Sequence, residues 1–242
     1  SIKSQVVNLI VRNTPRGNKD EYLKLYNQSL TREYPIIEEF LKNKIRDDDF
    51  INELALTTQI SIKGSEPNFQ HGKIIYALLG DYNKKVSNGD SAYTFLDVGT
   101  AKGFSAIIMS RFIINNSLNA DIHTVDIIGH NNKKYWNSIL DVEKGKLSRK
   151  EFLEPYNKYL GNITFHKGKT KKILPKIKSK RINFAFIDGS HEYEDVLFEY
   201  NFIKSKQKKG DIILFDDVTN KFEGIKRLIN EIAEFSLYSV KK

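Results

Sequence analysis

From Tyr93 onward the chain alternates short apolar runs with helical stretches, and several of the apolar runs stop on an aspartate. This alternation is the pattern of strand–helix–strand units on a parallel sheet, and it constrains the fold more than any compositional figure. Strands are expected at 93–98, 121–125, 162–166, 183–187 and 211–215, with helices at 105–115, 170–178 and 193–206. Asp126 follows Asp97 by 29 positions and Asp216 follows Asp188 by 28, each one unit apart. The predicted class is α/β: a Rossmann-like, doubly wound, mostly parallel sheet with helices on both faces.

The first ninety residues read as a helical prefix. Residues 19–30 and 34–44 have helical periodicity, with Tyr22, Leu23, Leu25, Tyr26, Ile36, Ile37, Phe40 and Leu41 as the expected buried stripe. Residues 70–79 predict another helix beside the first strand. No linker rich in Pro, Gly or Ser separates prefix from core, so one domain over 1–242 is expected, with the Rossmann-like core at 91–242. Residues 127–161 exceed a plain crossover. Ser148 and Glu151 there have capping-box spacing and predict a helix to about Tyr159. An insert directly after a strand's carboxyl end would overhang the ligand crevice, so it reads as a lid or substrate wall, with His130, Tyr135 and Trp136 as substrate-side candidates.

Composition narrows the classes. No apolar run approaches the ~20 residues of a membrane helix, and the start lacks a signal peptide's layout. The absence of cysteine excludes disulfides, thiolate catalysis and Cys-ligated metals, and fits a cytoplasmic location. The formal charge is +9, much of it at 167–181: Lys167, Lys169, Lys171, Lys172, Lys176, Lys178, Lys180 and Arg181. No aromatic residues interleave these lysines, so they read as a solvated face rather than a nucleic-acid platform.

Residues 95–105 give a strand, a turn with Gly99 and Gly103, and a helix start. Asp126 ends the next strand 23 positions after Gly103, where a Rossmann-type acid grips ribose hydroxyls. Ala101 and Lys102 occupy the middle of the turn, so the dinucleotide fingerprint is weak and a ligand with ribose but no phosphate fits better. This half resembles the class I S-adenosylmethionine-dependent methyltransferases. The resemblance implies that Asp97, Gly99, Thr100, Ala101, Gly103 and Ser105 line the methionine end of S-adenosylmethionine. It also implies Asp126 on the ribose, Ile127 near the adenine, and adenine contacts from Gly168, Lys169 and Thr170.

The second half of the site begins at Asp188-Gly189-Ser190-His191 and meets Asp216-Asp217 on the next strand. Carboxylates crowded together repel unless protonated or bridged by a cation, and oxygen ligands favour Mg²⁺. Asp188, Asp216 and Asp217 are therefore candidate metal ligands, Asp188 also touching the cofactor and the chemistry, and His191 is the candidate base. Asp217 could instead cap the following helix, and His191 could be structural. His71, His123 and His166 show no partner pattern. The paired motifs are similar to the metal-dependent O-methyltransferase branch that includes macrolide sugar O-methyltransferases and cephalosporin-hydroxylase-like proteins. That resemblance spans about residues 70–232 and implies Mg²⁺-assisted methyl transfer to a hydroxyl of a sugar, polyol or natural product.

Other classes stand beside it. A nucleic-acid methyltransferase would use residues 167–181, yet the chain lacks an Asn/Asp-Pro-Pro-Tyr/Phe-type loop. An NAD-linked enzyme is disfavoured by the glycine spacing, and a binding-only domain would keep the fold without turnover. Past the helix expected near Phe222, residues 236–242 suffice for one short strand. The open sheet edge leaves a homodimer open.

Overall fold

The computed structural model describes residues 14–86 and 92–232; the tail considered for a last strand lies outside them. Four helices precede the sheet: α1 (Lys19–Leu30), α2 (Pro35–Leu41), α3 (Asp48–Thr58) and α4 (Gln70–Val86). Then come β1 (Tyr93–Val98), α5 (Phe104–Asn115) and β2 (Ala120–Asp126). The insert carries α6 (Ile139–Lys144), α7 (Arg149–Phe152) and a 3₁₀ turn at Glu154–Tyr159. The chain continues through β3 (Ile163–Lys167), α8 (Thr170–Ile173), β4 (Phe184–Ile187), α9 (Tyr193–Lys204), β5 (Ile212–Phe215) and α10 (Glu223–Glu231). All strand pairs are parallel, in the order β3-β2-β1-β4-β5.

Alternation along each strand sorts the side chains into two cores. Phe95, Ile122, Phe184 and Phe186 face α4 and α5; Leu96, Val98, Val125, Ala185 and Ile187 face α8, α9 and α10. Helices therefore cover both faces, which is why the central strands read as nearly continuous apolar runs.

Local signals account for the element starts. Asn18 and Glu21 form a reciprocal capping box on α1, as Ser138 and Asp141 do on α6 and Ser148 and Glu151 on α7. The helix expected at 170–178 is shorter, because Pro175 tightens its end into a 3₁₀ turn at Leu174–Lys176. Ile36 is corrected from the expected stripe: it is 55% exposed, while Ile37 and Leu41 turn inward. α3, which the sequence reading did not single out, buries Ile51, Leu54, Ala55 and Thr58 on one face.

The insert is built into the body of the molecule. Trp136, Leu147, Phe152, Leu153 and Tyr159 belong to the same core as α3, α4, α5 and β1. Trp136 is buried, donates its indole N–H to Leu147 O at 2.7 Å and packs beside Phe152. The wall role expected of Trp136 is thus corrected: an aromatic in an insert this size serves the core first.

Candidate active site

The strand order reverses between β1 and β4, and α/β sheets bind ligands outside the carboxyl ends at such a point. Here the two flanking loops touch. Gly99 has φ +97°, and a Cβ on it would stand 2.0 Å from Asp188 O. Only glycine satisfies both conditions. Gly103 (φ +89°) and Ala101 (φ +42°) complete a turn with three left-handed residues.

Beneath this turn lies a buried polar network. Asp97 is fully buried and accepts from Ser105 Oγ at 2.6 Å and Thr124 Oγ1 at 2.5 Å, and Thr124 also bonds Thr100. Burial pushes the Asp97 carboxyl up to about 6 against these hydrogen bonds. Asp97, Thr100 and Ser105, expected to line the methionine end, are thus tied into one hydrogen-bond network with Thr124 under the turn.

Asp126 stands at the end of β2. Its Oδ2 accepts from Ala101 N and from the Arg149 guanidinium, each at 2.8 Å, and its Oδ1 accepts from Ile128 N at 2.8 Å. Ile127 beside it is 65% exposed. After β3, Gly168 has φ +148° and its N–H bonds Asp126 O at 2.8 Å. Lys169 is exposed, whereas Thr170 donates inward to Glu199 Oε1 at 2.7 Å. Glu199 is fully buried with Oε2 unpartnered, and burial pushes it up to about 7.

Across the switch point, Asp188, His191 and Asp217 bring one ligand atom each to within 4.8 Å of one another. His191 Nε2 lies 3.1 Å from Asp217 Oδ2 and 4.0 Å from Asp188 Oδ1, and its ring stacks on Phe222 at 4.0 Å. Asp217 has φ +55°, a conformation costly for a non-glycine residue. The consecutive acids diverge. Asp216 turns toward the α4 side, where its Oδ2 is 3.7 Å from His71 Nδ1. His71 stacks on Phe186 and meets Phe104 edge-on. This second imidazole–carboxylate pair went unseen because its partner is 145 positions away in sequence. Gly224 was also missed: a Cβ there would stand 2.3 Å from His191 O, so glycine lets the start of α10 close over this segment.

The remaining candidates lie to the insert side. His130 stacks on Phe165 at 4.3 Å, with Nδ1 buried and unpartnered; burial first, then Arg149 and Lys150, lower its pKa. Tyr135 is partly exposed beneath Lys146. In the basic segment, Lys171 pairs with Asp195 at 2.8 Å.

Residues 96–218 match the family model described as a methyltransferase domain. The chain belongs to this family. It is a class I S-adenosylmethionine-dependent methyltransferase. No curated protein matches this methyltransferase in sequence. Its fold is similar to that of the O-methyltransferase NovP, with TM-score 0.53 and 14% identity, covering 91% of this chain and 93% of that one. It is likewise similar to cofactor-bound Rv0187 from MTB, with TM-score 0.51 and 16% identity over 91% and 87%. Among the described residues, no helix of the methyltransferase is long and apolar enough to cross a membrane.

Proposed function

We propose that this methyltransferase moves a methyl group from S-adenosylmethionine to a hydroxyl of a small polyol or sugar, assisted by a divalent cation. The observation that carries the reading is the convergence of Asp188, His191 and Asp217 at the switch point. NovP, a fold neighbour over nearly its full length, is described as an O-methyltransferase. That supports oxygen as the acceptor.

The donor set fits a cation. The Asp188 and Asp217 carboxylates converge, and beside them His191 Nε2 is buried with no hydrogen bond of good geometry, its lone pair left for a proton. Asp188 and Asp217 would hold the ion, with Asp216 behind them holding the Asp217 N–H at 2.9 Å. A bound Mg²⁺ or Mn²⁺ would make the acceptor hydroxyl more acidic. His191 then accepts the hydroxyl proton on Nε2, while Asp217 stabilises the resulting imidazolium. The backbone of the 99–103 turn and Asp126 orient the cofactor, so that positioning supplies most of the rate.

The test is S-adenosylhomocysteine release with a panel of sugars, nucleotide sugars and cyclitols, with and without chelator. His191→Asn is expected to lower kcat about 10²- to 10⁴-fold, and Asp188→Asn to abolish turnover, both with cofactor affinity nearly unchanged. Full activity of His191→Asn would remove it from the base role. Activity indifferent to chelation would remove the cation alone.

A further inference from the structure

The cofactor edge contains a cation that the expected site did not include. Arg149 opens α7 in the insert and is 1% exposed. Its Nε donates to Ala101 O at 2.8 Å, Nη1 to Ile128 O at 3.1 Å and Nη2 to Asp126 Oδ2 at 2.8 Å. These three acceptors belong to the glycine turn, the segment after β2, and the acid that ends β2. Asp126 in turn accepts from Ala101 N and Ile128 N. The left-handed Ala101 is therefore held at its N–H by Asp126 and at its C=O by Arg149. A planar guanidinium bridges three acceptors in a way an ammonium cannot.

We propose that Arg149 is a positioning residue of the cofactor site. It fixes the Asp126 carboxylate and the turn at Ala101 in the arrangement that accepts a ribose hydroxyl, and it thereby couples docking of the insert to cofactor loading. The proposal rests on Asp126 being the ribose acid. A carboxylate offers about four acceptor positions. Arg149 and the two amides take three, two of them on Oδ2, so the remaining one on Oδ1 is aimed rather than free to rotate. Ser148 and Glu151 pin the start of α7 through their reciprocal cap, which holds Arg149 in register.

Calorimetric binding of S-adenosylhomocysteine and of its 2′,3′-dideoxy analogue separates the possibilities. The wild type is expected to prefer the ribose form by on the order of tenfold or more, the scale of a hydrogen bond to a charged group. Arg149→Lys should lose most of that preference, as should Asp126→Asn, while still binding the dideoxy analogue with wild-type affinity. Equal weakening of both ligands in Arg149→Lys would mean a structural role only and overturn the proposal. A wild type without preference would overturn the ribose role of Asp126 itself. Should Arg149→Lys not fold, hydrogen exchange on the wild type decides. S-adenosylhomocysteine should slow exchange at residues 149–153, and unchanged exchange there would refute the coupling.

Discussion

Glu199 is a side chain whose ionisation the fold opposes. It is fully buried, holds one hydrogen bond from Thr170, and has its other carboxylate oxygen unpartnered. Its pKa rises from 4.5 to about 7, chiefly through burial. A carboxyl raised in the folded state binds its proton more tightly there than in the unfolded chain. Its contribution is therefore fully present below about pH 4.5 and is lost as pH climbs through about 7. Glu199→Gln keeps an acceptor for Thr170 without the charge. The variant should match the wild type near pH 5 and exceed it by about 2 kcal/mol at pH 8, read from denaturant unfolding at both pH values. A pH-independent difference would contradict this account. Asp97, raised to about 6 under the glycine turn, shares the sign but has better partners. Neither shift is legible in sequence. Asp97 announces itself at a strand end, but only the fold places Ser105 and Thr124 against it, and Glu199 looks like any acid on an amphipathic helix.

At the level of elements, Asn137 is one residue at which prefix, insert and glycine turn meet. Asn137 has φ +57°; its Oδ1 accepts from Tyr22 Oη at 3.1 Å and Ile62 N at 3.0 Å, and its amide donates to Ile62 O at 3.0 Å. Its carbonyl accepts from Ser61 Oγ at 2.9 Å and from Lys102 Nζ at 3.1 Å. Burial lowers the Lys102 pKa to about 7. Asn137→Ala strands Ile62 N and places alanine in a left-handed conformation, together about 3 kcal/mol. Asn137→Gly relieves the second cost and should recover about 1 kcal/mol of it. Thermal unfolding should show losses near 10 °C and 6 °C. Helix and strand existence here followed from periodicity and caps: α1 lies where the pattern places it, and Ser148 with Glu151 do start a helix. What periodicity could not supply is partnership. The insert looked like an overhang because it follows a strand end, yet its Trp136, Phe152 and Tyr159 fill the central core. Arg149, the residue that ties it to Asp126, read only as the position after a cap.

Across the whole molecule, the two halves of the site meet backbone to backbone at Gly99 and Asp188, and that contact predicts a joint failure. The glycine turn and the loop that carries Asp188 are separated at Gly99 by the space of a missing methyl group. Asp126, Asp188 and Asp216 were legible because each stands at a strand's carboxyl end, but their grouping was not. Asp216 and Asp217 are adjacent in sequence and serve opposite sides, one toward His71 and the other toward His191. Gly99→Ala must push the Asp188 segment away, since backbone 2.0 Å from a Cβ cannot be accommodated by a rotamer change. Gly210 is the control: it also has positive φ, at +98°, but a Cβ there meets nothing within 4 Å. Both alanine variants carry the left-handed penalty of roughly 1–2 kcal/mol; only Gly99→Ala adds the collision. A ligand that binds only the folded state at a hundred times its Kd stabilises by about 2.7 kcal/mol, or several degrees in Tm for a chain of this size. Differential scanning should therefore show Gly210→Ala starting lower than wild type yet keeping the full rise with S-adenosylhomocysteine and the further rise with Mg²⁺ or Mn²⁺. Gly99→Ala should lose both rises together. Retention of either one in Gly99→Ala would mean that the cofactor turn and the Asp188 cluster are independent sites that happen to share an edge of the sheet.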